Sequence, residues 1–228
     1  FETQVGFDFE RAIVPSYGNN KIRLITKLST GVQYQPIQEI SLRLNLREQL
    51  ADKSFSPFSP SLNFVFAKRL KQNMVSVFTS VSRNFRFPTL NDLYWVPGGN
   101  QNLKMEKSWD EELGMRYQFK SNFSLKATGF CKYVTNWIQW TPDGANWQAQ
   151  NLKRVLTSGV EITANYFYTK NQYEVMLSAN YTFTAATNLD AIFDSDQSKY
   201  KQLIYVPYHV ANANLYFEFK NYFFRAVN

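Results

Sequence analysis

The chain has 228 residues, of which 44% are hydrophobic and 17% aromatic, and 25 Lys plus Arg outweigh 18 Asp plus Glu to give a formal net charge of +7. That is too apolar for disorder, and the single cysteine (Cys131) and single histidine (His209) exclude a disulfide scaffold and any His- or Cys-built zinc site within the chain. No apolar run approaches the ~18–20 residues of a membrane-spanning helix (Phe64 to Ala67 is among the longest), which excludes helical membrane proteins but not membrane barrels.

The basic residues are scattered among Asp and Glu rather than clustered, which argues against a nucleic-acid partner. The first residue is Phe1 and no signal peptide is visible, so the chain is expected to be an internal piece of a larger protein.

Along the chain the dominant pattern is alternation with a period of two. Ile40, Leu42, Leu44 and Leu46 alternate with Ser41, Arg43, Asn45 and Arg47. Leu113, Met115, Tyr117 and Phe119 alternate with Gly114, Arg116, Gln118 and Lys120. From Val160 to Tyr168 the even positions are apolar, and only Phe167 breaks the polar side. Tyr173 to Phe183 and Ala211 to Phe219 repeat the pattern. A helix would spread such residues all round its axis, whereas a strand puts them on one face.

The strands are long: Asn122 to Trp140 and Asn151 to Thr169 each read as one strand, against ~5–6 residues in soluble domains. Connections alternate in length. Short turns are expected at Pro36–Glu39, Leu70–Asn73, Lys120–Asn122, Thr169–Gln172 and Phe219–Tyr222. Long polar loops are expected at Glu48–Ser59, Asn84–Lys107, Thr141–Gln150 and Ala185–Gln202.

Sorting turns to one rim and loops to the other is a property of transmembrane barrels, which cross the apolar layer with ~9–11 tilted residues. Tyr117, Phe119 and Phe123, and again Tyr166, Tyr168 and Tyr173, flank short turns, while Tyr133, Trp137 and Trp140 approach a long-loop end, as interfacial aromatic belts require. The fold expected is therefore an all-β, antiparallel transmembrane β-barrel, with about ten or eleven strands in this chain. Apolar faces would meet lipid, and Arg43, Arg47, Arg116, Lys126 and Glu174 would face a polar lumen. Open edges cannot survive in hydrocarbon, so the strands form a complete small barrel or part of a larger one.

Ser82 to Trp109 carries a denser motif. It contains Phe85-Arg86-Phe87-Pro88-Thr89-Leu90, then Leu93-Tyr94-Trp95, Gly99-Asn100, and Leu103-Lys104-Met105-Glu106. This resembles the aromatic-Arg-x-Pro-Ser/Thr-Leu and Gly-Asn-x-x-Leu-Lys-Pro-Glu stretches of TonB-dependent outer-membrane receptors, with Met105 where that family usually has proline. Phe58-Ser59-Pro60-Ser61-Leu62, the strand from Asn151-Leu152 to Gly159-Val160-Glu161, and Val206-Pro207-Tyr208-His209 resemble further strands of the same barrel.

The resemblance spans residues 20 to 228 and implies a C-terminal portion of a barrel of about 22 strands, without the N-terminal plug domain and the final strands. It also implies a Gram-negative outer-membrane location and active import of a scarce, large ligand. The branch most resembled is the cobalamin receptors, with ferric siderophores next. Implied partners are outer-membrane lipid, the TonB complex through the plug region, the transported ligand and a surface lipoprotein; no cofactor is implied.

Chemistry-bearing residues are sparse. Pro97-Gly98-Gly99-Asn100 lacks the Gly-Lys-Ser/Thr ending of a phosphate loop and reads as a turn. His209 has no Cys or second His to share a metal, and no nucleophile–base pair is apparent. Asp110 and Glu112 share the lumen face, where an ionic partner is their ordinary role. Asn122-Phe123-Ser124 and Asn180-Tyr181-Thr182 match glycosylation acceptors that a bacterial outer membrane would not use.

The loops are more informative. Tyr94, Trp95 and Asn100 in one, and Asn146, Trp147 and Gln148 in another, suit capture of a large semi-polar ligand by stacking and hydrogen bonding. Trp140 reads as a residue that closes the rim. Two other functions stay open at this point: a passive diffusion pore, and an adhesion or surface-complex protein that transports nothing. The native protein in purified outer membranes is expected to have an intact mass corresponding to roughly 600 residues or more, the size of about 22 strands plus a plug. A mass near that of these 228 residues would mean a small closed barrel instead.

Overall fold

The computed structural model describes the chain except Lys53, Leu152, Lys153, residues 192–196, Tyr205, Asn221 and Asn228. The strands in chain order are β1 (Glu2–Ala12), β2 (Lys21–Ile37), β3 (Ile40–Ala51), β4 (Ser54–Phe55), β5 (Ser59–Leu70) and β6 (Asn73–Arg86). A short helix α1 (Leu90–Tyr94) follows, then β7 (Glu106–Phe119), β8 (Phe123–Thr135), β9 (Ile138–Asp143) and β10 (Asn146–Asn151). β11 (Arg154–Lys170), β12 (Tyr173–Asn188), β13 (His209–Phe219) and β14 (Tyr222–Val227) complete the set.

Twelve strands form one antiparallel sheet, in the order β1-β2-β3-β5-β6-β7-β8-β11-β12-β13-β14 with β4 paired to β3; β9 and β10 form a separate hairpin. Sheet strands pair in chain order, except that β3 passes the short β4 to reach β5 and β8 skips the hairpin to reach β11. β1 and β14 end the path among the described residues.

Register sorts the side chains. Leu44, Leu62 and Val81 lie opposite one another across β3, β5 and β6, and Leu113, Gly129 and Val160 do so across β7, β8 and β11. This outer face is apolar and exposed: Leu113 is 63% and Leu44 43% accessible. A soluble protein would cover such a face, whereas a barrel presents it to lipid. Cys131 lies on it too, opposite Glu111 and Ser158.

The other face carries Arg43, Asn63, Ser80 and Glu112 in one cross-strand row, and Ser76, Arg116, Lys126 and Thr163 in another. Glu174 is on this face as well, opposite Glu218. Ion pairs gather there: Lys27 with Asp8, Arg43 with Glu2 at 3.5 Å and Lys132 with Asp110 at 3.4 Å. Phe78 lies flat against Gly114 on this inner wall, where an added Cβ would come within 2.2 Å of the ring. Arg47, at the upper end of β3, sits with its guanidinium 5.1 Å from the Phe85 ring.

All five expected short turns lie where anticipated, on one rim. Other expectations need correction. Asn122–Trp140 is not one strand: β8 stops at Thr135, Asn136 takes a left-handed φ of 57°, and β9 starts a new hairpin at Ile138. The expected loop at Thr141–Gln150 is largely strand, because β9 and β10 pair from Ile138↔Asn151 to Asp143↔Asn146 around Gly144, whose φ is 59°.

Asn151 therefore ends β10, and the long strand expected from it begins at Arg154. Alternation did not distinguish a strand that leaves the sheet from one that continues in it. The loops at Glu48–Ser59, Asn84–Lys107 and Ala185–Gln202 are also shorter than expected, since strand continues to Ala51, Arg86 and Asn188; residues 192–196 lie outside the described residues. At the chain start, β1 alternates as well, with Val5, Phe7 and Phe9 on the exposed apolar face, and in β2 Ile25 falls on the polar side.

The buried apolar residues sit at the long-loop rim, where Val134, Val155, Ala186 and Leu203 cluster with Trp137 and Val206. Leu113→Arg, mid-strand on the outer face, is expected to destabilise insertion by about 2–4 kcal/mol. Urea-dependent folding of the full-length protein into lipid vesicles measures it, and Ser80→Arg on the inner face should cost much less.

Candidate ligand site at the long-loop rim

Above the sheet, the Ser82–Trp109 segment folds into a polar clamp. Arg86 ends β6 and Glu106 begins β7, directly opposite in register. Their side chains form a two-point pair: Arg86 Nε donates to Glu106 Oε2 at 2.8 Å and Nη2 to Oε1 at 2.6 Å. A planar fork on a carboxylate fixes orientation as well as charge. Glu106 is 8% accessible, and its Oε1 also accepts the backbone N–H of Ile138 at 2.7 Å, the first residue of β9.

Asp92 is the second buried carboxylate, 3.6 Å from Arg86 Nη1. Thr89 caps α1, accepting from Asp92 N while Asp92 Oδ2 accepts from Thr89 N at 2.9 Å. The reciprocal cap satisfies N–H groups that a helix this short otherwise leaves unpaired. Asp92 Oδ1 accepts the indole N–H of Trp140 at 3.0 Å. Arg86 thus holds two carboxylates, each of which grips the β9–β10 hairpin.

The rest of the segment completes the grip. Gly98 O accepts from Ala149 N at 2.9 Å and Asn100 Nδ2 donates to Ala149 O at 3.2 Å, so the loop pairs with β10 almost as an added strand. A Cβ on Gly98 would lie 1.8 Å from Trp147 O, which is why the position is glycine. Gly99 turns tightly beneath Trp95, donating its N–H to Trp95 O. Lys104 N donates to Asn151 Oδ1 at 2.8 Å, and Asn151 Nδ2 donates to Lys104 O and Asn136 O.

On the opposite flank the buried Arg23 donates to Pro88 O at 2.8 Å and to Asp52 Oδ2 at 2.7 Å. Phe85 packs edge-on against Phe87, Leu90 opens α1, and Leu93 and Leu103 are half-buried. Every motif residue from Phe85 to Glu106 serves this scaffold or stands beside it.

The clamp leaves an open cleft of about 470 Å³ between α1 and the hairpin tip, lined by Asn91, Trp95, Pro97, Trp140, Asn146 and Trp147, with Ala145 at the turn. Trp95 and Trp147 are 40% and 45% accessible, so their ring faces are available for stacking. No lining side chain is charged.

Of the loop residues singled out from sequence, Trp95, Asn146 and Trp147 come together here. Tyr94 does not line the cleft but lies under the Lys21 ammonium at 4.4 Å. Asn100 serves the clamp, and Gln148 stands on β10 opposite Thr141, accepting from Gln150. Asn91, Pro97 and Trp140 also line the cleft, which sequence reasoning did not anticipate, and it did not single out Asp92; the Trp140 indole, bonded to Asp92, closes the rim as expected. The Thr89-x-x-Asp92 spacing of a helix cap was the available sign of Asp92.

A larger cavity of about 570 Å³ lies at the other end of the inner wall, lined by Phe167, Met176, Tyr216 and Phe223 among polar residues. His209 takes no part in either site; its Nδ1 is 2.8 Å from the Tyr181 hydroxyl at the start of β13.

Residues 5–227 match the family described as TonB dependent receptor-like, beta-barrel. The chain belongs to the TonB-dependent receptor barrel family. Its members are outer-membrane receptors and transporters of Gram-negative bacteria rather than enzymes.

Among curated relatives, the vitamin B12 transporter BtuB of Vibrio vulnificus is 33% identical over 92 residues, covering 40% of this chain and 15% of the relative. Among solved structures, the siderophore receptor PirA from Pseudomonas aeruginosa superposes with a TM-score of 0.68 at 20% identity, covering 94% of this chain and 38% of that one. The RagAB peptide transporter superposes with a TM-score of 0.66 at 12% identity, covering 92% and 33%. These likenesses show the barrel fold, and the chain spans well under half the length of each.

Gly98→Ala is expected to lift the hairpin off its seat. Limited proteolysis at the Gly144–Ala145 turn of the full-length receptor should accelerate about tenfold, as loss of a docked local contact worth ~1.4 kcal/mol predicts.

Proposed function

We propose that this chain is the C-terminal portion of a barrel of about 22 strands, plugged by an N-terminal domain, in a receptor that binds and imports a cobalamin-type ligand. Energy would reach the plug from the TonB complex. The exposed apolar outer face, with strand edges at β1 and β14, supports membership of a larger closed wall, because unpaired backbone is untenable in hydrocarbon.

One observation carries the ligand class: the cleft offers three tryptophans and two asparagines and no charge. A corrinoid is large, has broad apolar faces and bears neutral amide side chains. Indole rings match the faces and Asn91 and Asn146 the amides. A ferric catecholate is anionic and would call for Lys or Arg in the lining, and neither lines this cleft.

The partial similarity to vitamin B12 transporters points the same way. A surface lipoprotein seated on the long loops is a further proposed partner, which co-purification from outer membranes tests.

Cyanocobalamin titrated into the full-length receptor is expected to bind, and Trp147→Ala to weaken it about 10–100-fold, the usual range for removing a central aromatic anchor. Tighter binding of a ferric catecholate than of cobalamin would replace the ligand class and keep the receptor. Growth limited by cobalamin should fail after deletion of the gene; unchanged growth would sink the assignment.

A further inference from the structure

The rim opposite the ligand site carries a regularity that transport of a ligand does not explain. Five hairpins turn there, and four consecutive ones bear lysine. Lys71, Lys120 and Lys220 occupy left-handed turn positions with φ of 57°, 48° and 55°, and Lys170 is the last residue of β11. Left-handed positions favour Gly or Asn. Lysine is there despite the turn geometry, so its charge needs another reason.

Lys68, at the end of β5, lies on the outer face opposite Val75. All five lysines are exposed and none has an ion-pair partner among the described residues.

Lys68 and Lys170 stand on the outer face, and Lys120 and Lys220 lie against aromatic rings of that face. Lys120 Nζ is 5.4 Å from the centre of the Phe119 ring and Lys220 Nζ is 5.3 Å from that of Phe219. Phe119 pairs with Phe123, and Phe219 with Tyr173, on the apolar outer face; Lys170 stands opposite Tyr173 on that same face. Nearby carboxylates are turned away: Glu174 and Glu218 face the interior, and Glu39 belongs to the hairpin that has no lysine.

The turns are also tied to their neighbours. Lys120 N donates to Asn73 Oδ1 at 3.1 Å, and Lys220 N to Gln172 O at 3.0 Å. Successive hairpins therefore keep a spacing of about 10 Å, two strand separations.

We propose that this row of lysines is a binding surface for the phosphate headgroups of anionic phospholipids in the periplasmic leaflet. Short turns of such barrels lie on the periplasmic side. Ammonium groups laid along an aromatic girdle sit at headgroup level and attract anionic lipid electrostatically. A soluble acidic protein would be met by lysines projecting beyond the turns, whereas Lys120 and Lys220 lie back against aromatic rings of the wall.

The test places the full-length receptor in phosphatidylcholine nanodiscs with trace spin-labelled phosphatidylglycerol or phosphatidylcholine and reads the ratio of their association by electron paramagnetic resonance. Phosphatidylglycerol should be preferred about fivefold, and the preference should fall towards unity at about 0.5 M salt, where exposed charges are screened. The variant with Lys68, Lys120, Lys170 and Lys220 changed to Gln should lose it, and the same four changed to Arg should keep it.

Equal association of the two lipids with the wild-type receptor overturns the proposal, as does a preference that survives salt. So does a preference that follows Arg83→Gln and Lys107→Gln at the other rim instead. If the fourfold Gln variant does not fold, the salt series on the wild-type receptor and the single Gln variants still decide.

Discussion

A backbone in hydrocarbon has no water to bond to, and that constraint shapes every other feature of this chain. Each N–H and C=O along a crossing strand must find a partner on a neighbouring strand, so strands are long, antiparallel and joined in chain order. Once pairing is settled, alternate side chains have opposite solvents. Leu44, Leu62 and Leu113 turn to lipid, and Arg43, Asn63 and Glu112 turn to the interior. No apolar interior is required, and the small buried cluster around Val134 and Val155 stands at the rim.

The rim must be ordered by other means. Beyond the strands the chain meets water, backbone pairing ends, and there is little apolar surface to bury. Charge-assisted hydrogen bonds take over. Arg86 grips Glu106 at two points and stands beside Asp92, and these carboxylates hold Ile138 N and the Trp140 indole. The partners are mutually dependent, since removing the arginine would leave two buried carboxylates without their counter-charge. A rim built in this way is fixed where it is anchored and open where Trp95 and Trp147 face solvent, so the proposed ligand would meet a loop already ordered.

The two rims thus answer to different chemistries. The long-loop rim gathers indoles and amides around an uncharged cleft. The short-turn rim sets lysines beside aromatic rings on the outer wall. The proposed function gives one end to a neutral solute arriving from outside, and the proposed lipid contact gives the other to the charged surface of the surrounding leaflet.

Much of this is legible in the amino-acid sequence. Alternation from Ile40 to Arg47 and from Leu113 to Phe119 is a local property of adjacent residues, so strand identity, face assignment and the turn–loop rhythm could be read directly. The Phe85–Glu106 motif could likewise be recognised as a string. What local pattern could not show was partner choice: Asn122–Trp140 reads as one run of strand, yet Asn136 breaks it and β9 pairs with β10 instead of β11. Nor could sequence show that Asp92 and Trp140, 48 positions apart, share a hydrogen bond, or that Gly98 is glycine because Trp147 O lies against it. The sequence by itself determined the strands and their two faces, because period-two patterning is set by neighbours along the chain. Only the tertiary structure decided the clamp and the cleft, because those depend on distances between residues that the chain keeps far apart.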